Sequence, residues 1–148
     1  MKKKLNKINF SSWINKLILK KGKALKVSSI IDVLLLLLVK RSKKNPFFII
    51  NKAINNVAPS FIIKEVNIGK KRDKTFYIPV FIVSKHNRRR IALNWLISFA
   101  LKKKGSFVDN LALEFLDAFH NKGLVKQKLD LLNAQVLEHR SNLKFRWK

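Results

Sequence analysis

Four clusters of lysine and arginine are the residues of this chain best suited to chemistry, and that chemistry is the binding of phosphate. Each cluster falls at an element end or a turn, where cationic side chains can combine with free backbone N–H groups. Arginine adds two parallel hydrogen bonds to phosphate oxygens. The clusters are Lys2, Lys3 and Lys4; Lys20, Lys21 and Lys23; Lys70, Lys71, Arg72 and Lys74; and Lys85, Arg88, Arg89 and Arg90.

The charge balance of the whole chain favours a polyanionic partner. Its 148 residues include 33 Lys and Arg against 8 Asp and Glu, a formal net charge of +25 at pH 7. Because such a charge repels itself in an isolated chain, nucleic acid is the simplest partner that neutralises it. A solvated basic surface with no partner is the less favoured interpretation.

Residues suited to catalysis or metal binding are scarce. The chain has no cysteine, which excludes disulfides, thiolate metal sites and cysteine nucleophiles. The histidines, His86, His120 and His139, lie far apart in sequence, and the eight acidic residues form no local pair. There is no phosphate-loop glycine pattern, zinc-ligand spacing or nucleophile elbow. We therefore expect no enzymatic activity, no metal, no cofactor and no small-molecule substrate.

Two apolar runs raise the alternative of a membrane protein. Ile30–Val39 and Ile91–Leu101 are almost wholly apolar, but both are shorter than the about 20 residues that a spanning helix needs. We interpret both runs as buried helices and assign Trp95 and Phe99 to packing. A basic amphipathic protein lying on a membrane surface is kept as an alternative.

Hydrophobic periodicity predicts about six helices. The first two cover residues 10–20 and residues 24–42, and the third is capped by Asn45, begins at Pro46 and stops before Pro59. The fourth contains the second apolar run, and its N-terminus carries Arg88–Arg90. The last covers residues 124–143.

The fifth predicted helix combines a capping motif with an apolar stripe. Ser106 is expected to cap it, with Asp109 in the capping-box position three residues on. Gly123 is expected to end it. Asp109, Glu114 and Asp117 lie off the apolar stripe.

The middle of the chain predicts a β-hairpin. Phe61–Ile68 and Thr75–Val83 are rich in β-branched and aromatic residues, Gly69–Lys74 forms a basic tip, and Pro79 favours an edge position. With no internal repeat and no linker, we expect a mainly α fold: a single-domain bundle of about six helices with an inserted, protruding β-hairpin. Residues 1–9 form a basic N-terminal arm, and residues 61–83 form the hairpin.

Aromatic residues near basic clusters are suited to stacking on unpaired RNA bases. Phe76 and Tyr77 lie on opposite faces of a predicted strand, so at most one of them faces a given partner. Phe145 and Trp147 lie among basic residues at the C-terminus.

A series of motifs occurs in an order typical of one protein family. "GKALK" (Gly22–Lys26) resembles "GKKA", "NPFFIINKAINNVAP" resembles "DPLEIFEKALDAIAP", and "TFYIPV" is similar to "TYQVPV". "RRRIALNWLISFA" resembles "RRNALAMRWLVDFA", "SFVDNLALEFLDAFHNKG" is similar to "SMALRLAGELLDAAEGKG", and the ending "FRW" resembles "YRW". Over about residues 16–148 the chain thus resembles the bacterial-type small-subunit ribosomal protein 7 family.

The resemblance implies both a fold and a function. The fold is a helical bundle with a protruding β-hairpin. The function is structural: binding to the 3′ major (head) domain of small-subunit rRNA, nucleation of head assembly, contact with neighbouring head proteins, and a hairpin near the exit-site tRNA and mRNA. The tip "IGKKRDK" is longer than the family's "VGG". The resemblance adds four residues to the rRNA-binding set: Lys128, Arg140, Arg146 and Trp147.

The composition also suggests a location. Only 4 Gly but 11 Phe, with abundant Lys, Asn, Ile and Leu, indicate an AT-rich genome, and we expect a mitochondrial ribosome in the matrix. A bacterial cytoplasm or a plastid is the alternative location. A basic RNA- or DNA-binding module outside the ribosome is the alternative function.

Overall fold

The computed structural model describes residues 24–67 and 75–145 of the chain. Residues 1–9, the predicted helix over residues 10–20 and the predicted hairpin tip lie outside this part. The described elements, in chain order, are α1 (Ala24–Ser42), α2 (Pro46–Val57), β1 (Phe61–Asn67), β2 (Thr75–Phe81), α3 (Lys85–Lys102), α4 (Phe107–Phe119), α5 (Leu124–Glu138) and a 3-10 helix (Arg140–Phe145). The mainly helical fold with an inserted two-stranded hairpin is confirmed.

Helix α4 lies at the centre of the helical packing and contacts all four other α-helices. Phe115 is its largest fully buried side chain, and it belongs to one core cluster with Leu34 of α1, Ile50 of α2 and Leu96 of α3. Burial of side chains of this size is worth about 1.5–3 kcal/mol each. The core therefore stabilises the arrangement of α2 and α3, whose ends build the site described below.

The two predicted helices that begin with the clearest local signals are confirmed. Helix α1 has the predicted bounds, and α2 begins at Pro46. The side chain of Asn45 accepts a hydrogen bond from the backbone N–H of Phe47 at 3.0 Å, so it satisfies one N–H group that the helix leaves without a partner.

Helix α3 begins earlier than the arginines that were expected to open it. Ser84 is the N-cap, and its hydroxyl accepts a hydrogen bond from the backbone N–H of Asn87 at 3.4 Å. Arg88–Arg90 therefore start about one turn inside the helix. The apolar remainder of α3 is largely buried, as predicted, and Trp95 and Phe99 pack against the core.

The capping box predicted for α4 is wrong. Ser106 has the backbone geometry of an N-cap, but its side chain accepts no capping hydrogen bond. The carboxylate of Asp109 instead pairs with the Arg41 guanidinium of α1 at 2.9 Å. The carboxylate that the capping box required is therefore bound to a partner 68 residues away in sequence.

One other prediction about α4 also needs correction, and the burial of one of its acidic residues was not predicted. The helix ends at Phe119, because Asn121 takes the left-handed conformation (φ 57°) and Gly123 (φ 89°) is the N-cap of α5. Glu114 is buried although it lies off the apolar stripe, with 1% of its side chain exposed. A central helix is covered on more than one face, so a single apolar stripe does not describe its burial.

The hairpin and the last helix are each shorter than predicted. The strands pair antiparallel from Phe61 opposite Phe81 to Asn67 opposite Thr75, so the second strand ends before Val83. Pro79 lies opposite Ile63 in this two-stranded sheet. Helix α5 ends at Glu138 and the 3-10 helix follows, where the side chain of Asn142 donates to the Tyr77 carbonyl oxygen at 3.1 Å. In the described part of the chain, no helix combines the length and the apolar character that crossing a membrane requires.

Candidate nucleic-acid interface

A cationic cleft lies where the C-terminal end of α2 and the turn before β1 meet the first turns of α3. Its volume is about 300 Å³. Two elements far apart in sequence form it, and both are positioned by the buried core. The residues that line it are Asn55, Ala58, Ser60, Lys85, Arg88 and Arg89.

Arg88 is held in a defined orientation within the cleft. Its Nε donates a hydrogen bond to the carbonyl oxygen of Ile82 at 2.7 Å, and its guanidinium lies 4.7 Å from the centroid of the Phe81 ring. A guanidinium has five N–H donors, so the hydrogen bond to Ile82 leaves four. Arg88 is therefore positioned to present its remaining donors to a ligand at little cost in side-chain entropy.

The electrostatics of the cleft favour an anion. The first turn of α3 contains no acidic residue, and a helix N-terminus carries a partial positive charge. Lys85, Arg88 and Arg89 add their formal charges to it. The ion pairs among the described residues join Arg41 to Asp109, Lys103 to Glu114 and Lys126 to Asp130, and none involves a residue of the cleft. This combination of a helix N-terminus with arginines is suited to a phosphate group.

The other predicted rRNA-binding residues lie in different places. Arg90 is exposed on α3 but does not line the cleft. Lys128 of α5 holds its Nζ 4.8 Å from the centroid of the Trp95 ring, and Arg140 is exposed in the 3-10 helix. The remaining members lie outside the described residues: Lys2, Lys3, Lys4, Lys20, Lys21, Lys23, Lys70, Lys71, Arg72, Lys74, Arg146 and Trp147.

Sequence reasoning missed the polar residues that complete the cleft. Asn55 and Ser60 lie 25 or more positions before the basic cluster. Nothing in their local sequence indicates that they face it. Only the packing of α2 beside α3 brings their side chains to the same place.

A second cleft, of about 330 Å³, lies between the hairpin and the end of α5. Tyr77 stacks on the His139 ring there, with centroids 5.3 Å apart and an interplanar angle of 29°. Glu65 also lines this cleft, and its carboxylate repels phosphate. Tyr77 is thus already stacked within the fold, in surroundings less suited to RNA than the first cleft. Among the described residues, no three His, Cys, Asp or Glu side chains are grouped so that they could hold a metal ion.

Comparison with known proteins identifies relatives over most of the chain. The family model described as "Ribosomal protein S7p/S5e" matches residues 2–133. A small ribosomal subunit protein uS7 from Thermomicrobium roseum is 32% identical over 136 residues, which cover 91% of this chain and 84% of the relative. The uS7 protein from Petrotoga mobilis is 30% identical, covering 95% of this chain and 88% of the relative. The uS7m protein from Prototheca wickerhamii is 33% identical over 67% of this chain, a match that spans 45% of that relative.

Proposed function

The chain belongs to the ribosomal protein S7p/S5e family, and on this premise we propose that it binds the 3′ major (head) domain of small-subunit rRNA as a single rRNA-binding domain. The family establishes its general role: it is a structural protein of the small ribosomal subunit. The observation that supports binding to the rRNA is the cationic cleft. There Lys85, Arg88 and Arg89 meet without a carboxylate partner among the described residues.

The mechanism is charge neutralisation on a rigid scaffold. Phosphates of the rRNA enter the cleft and release their counterions, so that affinity falls as salt concentration rises. The core keeps α2 and α3 in a fixed relation, and the protein thereby holds the RNA segments that it contacts. We propose that this fixation nucleates assembly of the head, with neighbouring head proteins binding afterwards.

A salt titration tests the role of the cleft. The full chain is titrated with a transcript of the 3′ major domain from the same genome, between about 50 mM and 200 mM salt. Replacing Lys85, Arg88 and Arg89 together by Ala should weaken binding and flatten the slope of log K against log salt by roughly one unit per lost phosphate contact.

The matched control removes the same number of charges elsewhere. Lys102, Lys104 and Lys122 are exposed and do not line the cleft, and their replacement by Ala should change the slope less. Equal slopes for the two triple variants would contradict a specific role of the cleft. A parent chain that does not bind the transcript would contradict the proposed function itself.

The position of the hairpin is a separate proposal. We infer from the family that its tip lies near the exit-site tRNA and mRNA, with Lys70, Lys71, Arg72 and Lys74 as the basic residues that face them. Cross-linking from a cysteine introduced at Arg72 should label mRNA or tRNA in assembled ribosomes. Labels confined to other parts of the rRNA would contradict this position.

We also propose that the ribosome in question is mitochondrial and lies in the matrix. The residue composition and the relative named uS7m support this location, and the bacterial relatives keep a bacterial cytoplasm as the alternative. Detection of the protein in purified mitochondria distinguishes the two.

A further inference from the structure

An exposed aromatic ring lies among lysines on α2, apart from the residues that line the cationic cleft. Phe48 is 57% exposed in the first turn of the helix. Lys52 lies one turn further on, and Lys44 lies just before the helix. Large apolar side chains are often exposed singly, so the arrangement around the ring decides whether this one has a role.

The surroundings of Phe48 form an ordered cluster of rings and cations. At its centre is the ring of Phe119, which is 9% exposed. The Phe48 ring packs edge-on against it at 6.1 Å and 70°. The ammonium groups of Lys52 and Lys44 lie 4.9 Å and 5.6 Å from its centroid. The His120 ring contacts another part of it at 5.0 Å.

These contacts position the lysines beside an accessible ring. Cation–π attraction keeps both ammonium groups near Phe119, so less side-chain entropy is lost when they bind an anion. Neither lysine takes part in the ion pairs formed within the described part of the chain. Phe48 thus presents an exposed ring in contact with a second ring, Phe119, that holds two positive charges.

The same face of α2 leads into the cationic cleft. Phe48, Asn51, Lys52 and Asn55 follow the spacing of one helix face, and all four are exposed. Asn55 also lines the cleft. Phe48 and Asn55 are about 10 Å apart along the axis, from seven residues at 1.5 Å each. A single extended strand of RNA can therefore contact both places.

We propose that this face of α2 is a second contact for single-stranded RNA, in which an unpaired base stacks on Phe48 while Lys44 and Lys52 hold the neighbouring phosphates. The proposal rests on the proposed rRNA-binding function and extends it to a surface that adjoins the cleft. Base–aromatic stacking beside a basic path is the usual way in which proteins bind unpaired strands.

The chemistry favours RNA over a protein as the occupant. The proposed contact includes two lysines, Lys44 and Lys52, two asparagines, Asn51 and Asn55, and no acidic residue. The asparagine amides both donate and accept hydrogen bonds, as base edges and ribose hydroxyls require. A protein partner would need an acidic surface around an aromatic pocket, whereas RNA supplies negative charge and flat rings together.

The test compares two substitutions at Phe48 in the full chain, with the 3′ major domain transcript as the probe. Phe48→Leu keeps an apolar side chain but removes the ring, and it should lower affinity about tenfold with an unchanged salt slope, because stacking is not ionic. Phe48→Tyr keeps the ring and should bind like the parent. Lys52→Ala should flatten the slope by about one unit.

A matched control and a direct measurement complete the test. Leu36→Ala removes another exposed apolar side chain, 68% exposed, from α1 and should leave RNA affinity unchanged. Ultraviolet irradiation of the parent complex should cross-link a nucleotide to the peptide that contains Phe48.

Each other outcome overturns a distinct claim. If the parent binds the transcript and Phe48→Leu binds equally well, the stacking site is wrong while the rRNA-binding function stands. If Phe48→Leu binds RNA normally but no longer retains a neighbouring head protein, the face is a protein contact instead. If the parent itself does not bind the transcript, the proposed function fails first.

Discussion

Arg88 both holds part of the fold together and lines the cleft proposed to bind phosphate. Its Nε donates to the Ile82 carbonyl oxygen and its guanidinium contacts the Phe81 ring, so it joins α3 to the end of the hairpin. Its neighbour Arg89 lines the same cleft but is exposed. The two arginines look equivalent in the sequence and differ only in their tertiary partners.

The difference between these arginines is measurable as stability. Arg88→Ala removes one hydrogen bond and one cation–π contact and should lower the free energy of unfolding by about 1–2 kcal/mol. Arg89→Ala should change it by less than about 0.5 kcal/mol. Urea unfolding of both variants checks this, and equal losses would contradict the structural role of Arg88.

The buried carboxylate of Glu114 depends on one cation. Lys103 Nζ lies 2.6 Å from Oε1 of Glu114, and in the described part of the chain no other group hydrogen-bonds to this oxygen. Lys103→Met should therefore lower the free energy of unfolding by about 2–3 kcal/mol. This loss is smaller than is usual for breaking a fully buried ion pair, because the lysine is partly exposed.

A double variant separates the effect of the two charges on stability from the effect of side-chain packing. Lys103→Met combined with Glu114→Met removes both charges and should recover most of the loss, because a buried ion pair can often be replaced by apolar groups. Thermal unfolding measures both variants. A double variant that is less stable than the single one would contradict this account.

At the scale of the elements, two asparagine side chains hydrogen-bond to the backbone at or just beyond helix C-termini, one across the bundle and one within the connection between α3 and α4. Nδ2 of Asn56 on α2 donates to the carbonyl oxygens of Ala118 and Phe119 at 3.0 Å and 3.1 Å, at the C-terminal end of α4. Nδ2 of Asn110 likewise donates to the carbonyl oxygens of Lys103 and Lys104. These contacts supply additional donors to carbonyl oxygens at the C-terminal ends of helices, where intrahelical donors are lacking.

Replacing Asn56 by Asp should weaken the contact between α2 and α4. The carboxylate cannot donate, and it places a negative charge beside two carbonyl oxygens at the negative end of a helix dipole. We expect a loss of about 1–2 kcal/mol, measured by urea unfolding. Asn51→Asp on the exposed side of the same helix is the control, and an equal loss there would contradict the role of Asn56.

The elements also show which features a sequence can predict. Helix α1 has the expected bounds and α2 has the expected start, because the signals that set them are local. For α1 the signal is an apolar period, and for α2 it is the cap at Asn45 with prolines at Pro46 and Pro59. The capping box of α4 failed because Asp109 is taken by Arg41 of α1. The burial of Glu114 was missed for the same reason, since it depends on how α3 and α4 pack.

In the candidate site, too, the features set by local sequence were predicted and those set by tertiary packing were not. The charge run around Lys85, Arg88 and Arg89 was evident from the sequence, and the structure places these three side chains in one cleft. Asn55 and Phe48 were not predicted, because their exposure and their proximity to cations depend on the position of α2 relative to α3 and α4.

At the scale of the whole molecule, the net charge of +25 should make the isolated chain sensitive to ionic strength. Salt screens the mutual repulsion of its lysines and arginines, so the thermal midpoint of the RNA-free protein should rise as sodium chloride is added. Sulfate at equal ionic strength should raise it further, both through its exclusion from the protein surface and through binding at the cleft.

The cleft contribution is isolated by a variant. Replacing Lys85 and Arg89 by Ala should reduce the extra effect of sulfate, by the part that binding at the cleft contributes, and keep the effect of chloride. The measurement is differential scanning calorimetry. A midpoint that falls with added sodium chloride would contradict the dominance of charge repulsion.

The most direct test of the central claim is sedimentation of a native extract through a sucrose gradient, with the protein followed across the fractions. As a structural protein that binds small-subunit rRNA, it should co-sediment with small subunits and with whole ribosomes, and move to the top of the gradient after ribonuclease treatment. A protein that stays at the top of the untreated gradient, free of ribosomal particles, would contradict the account.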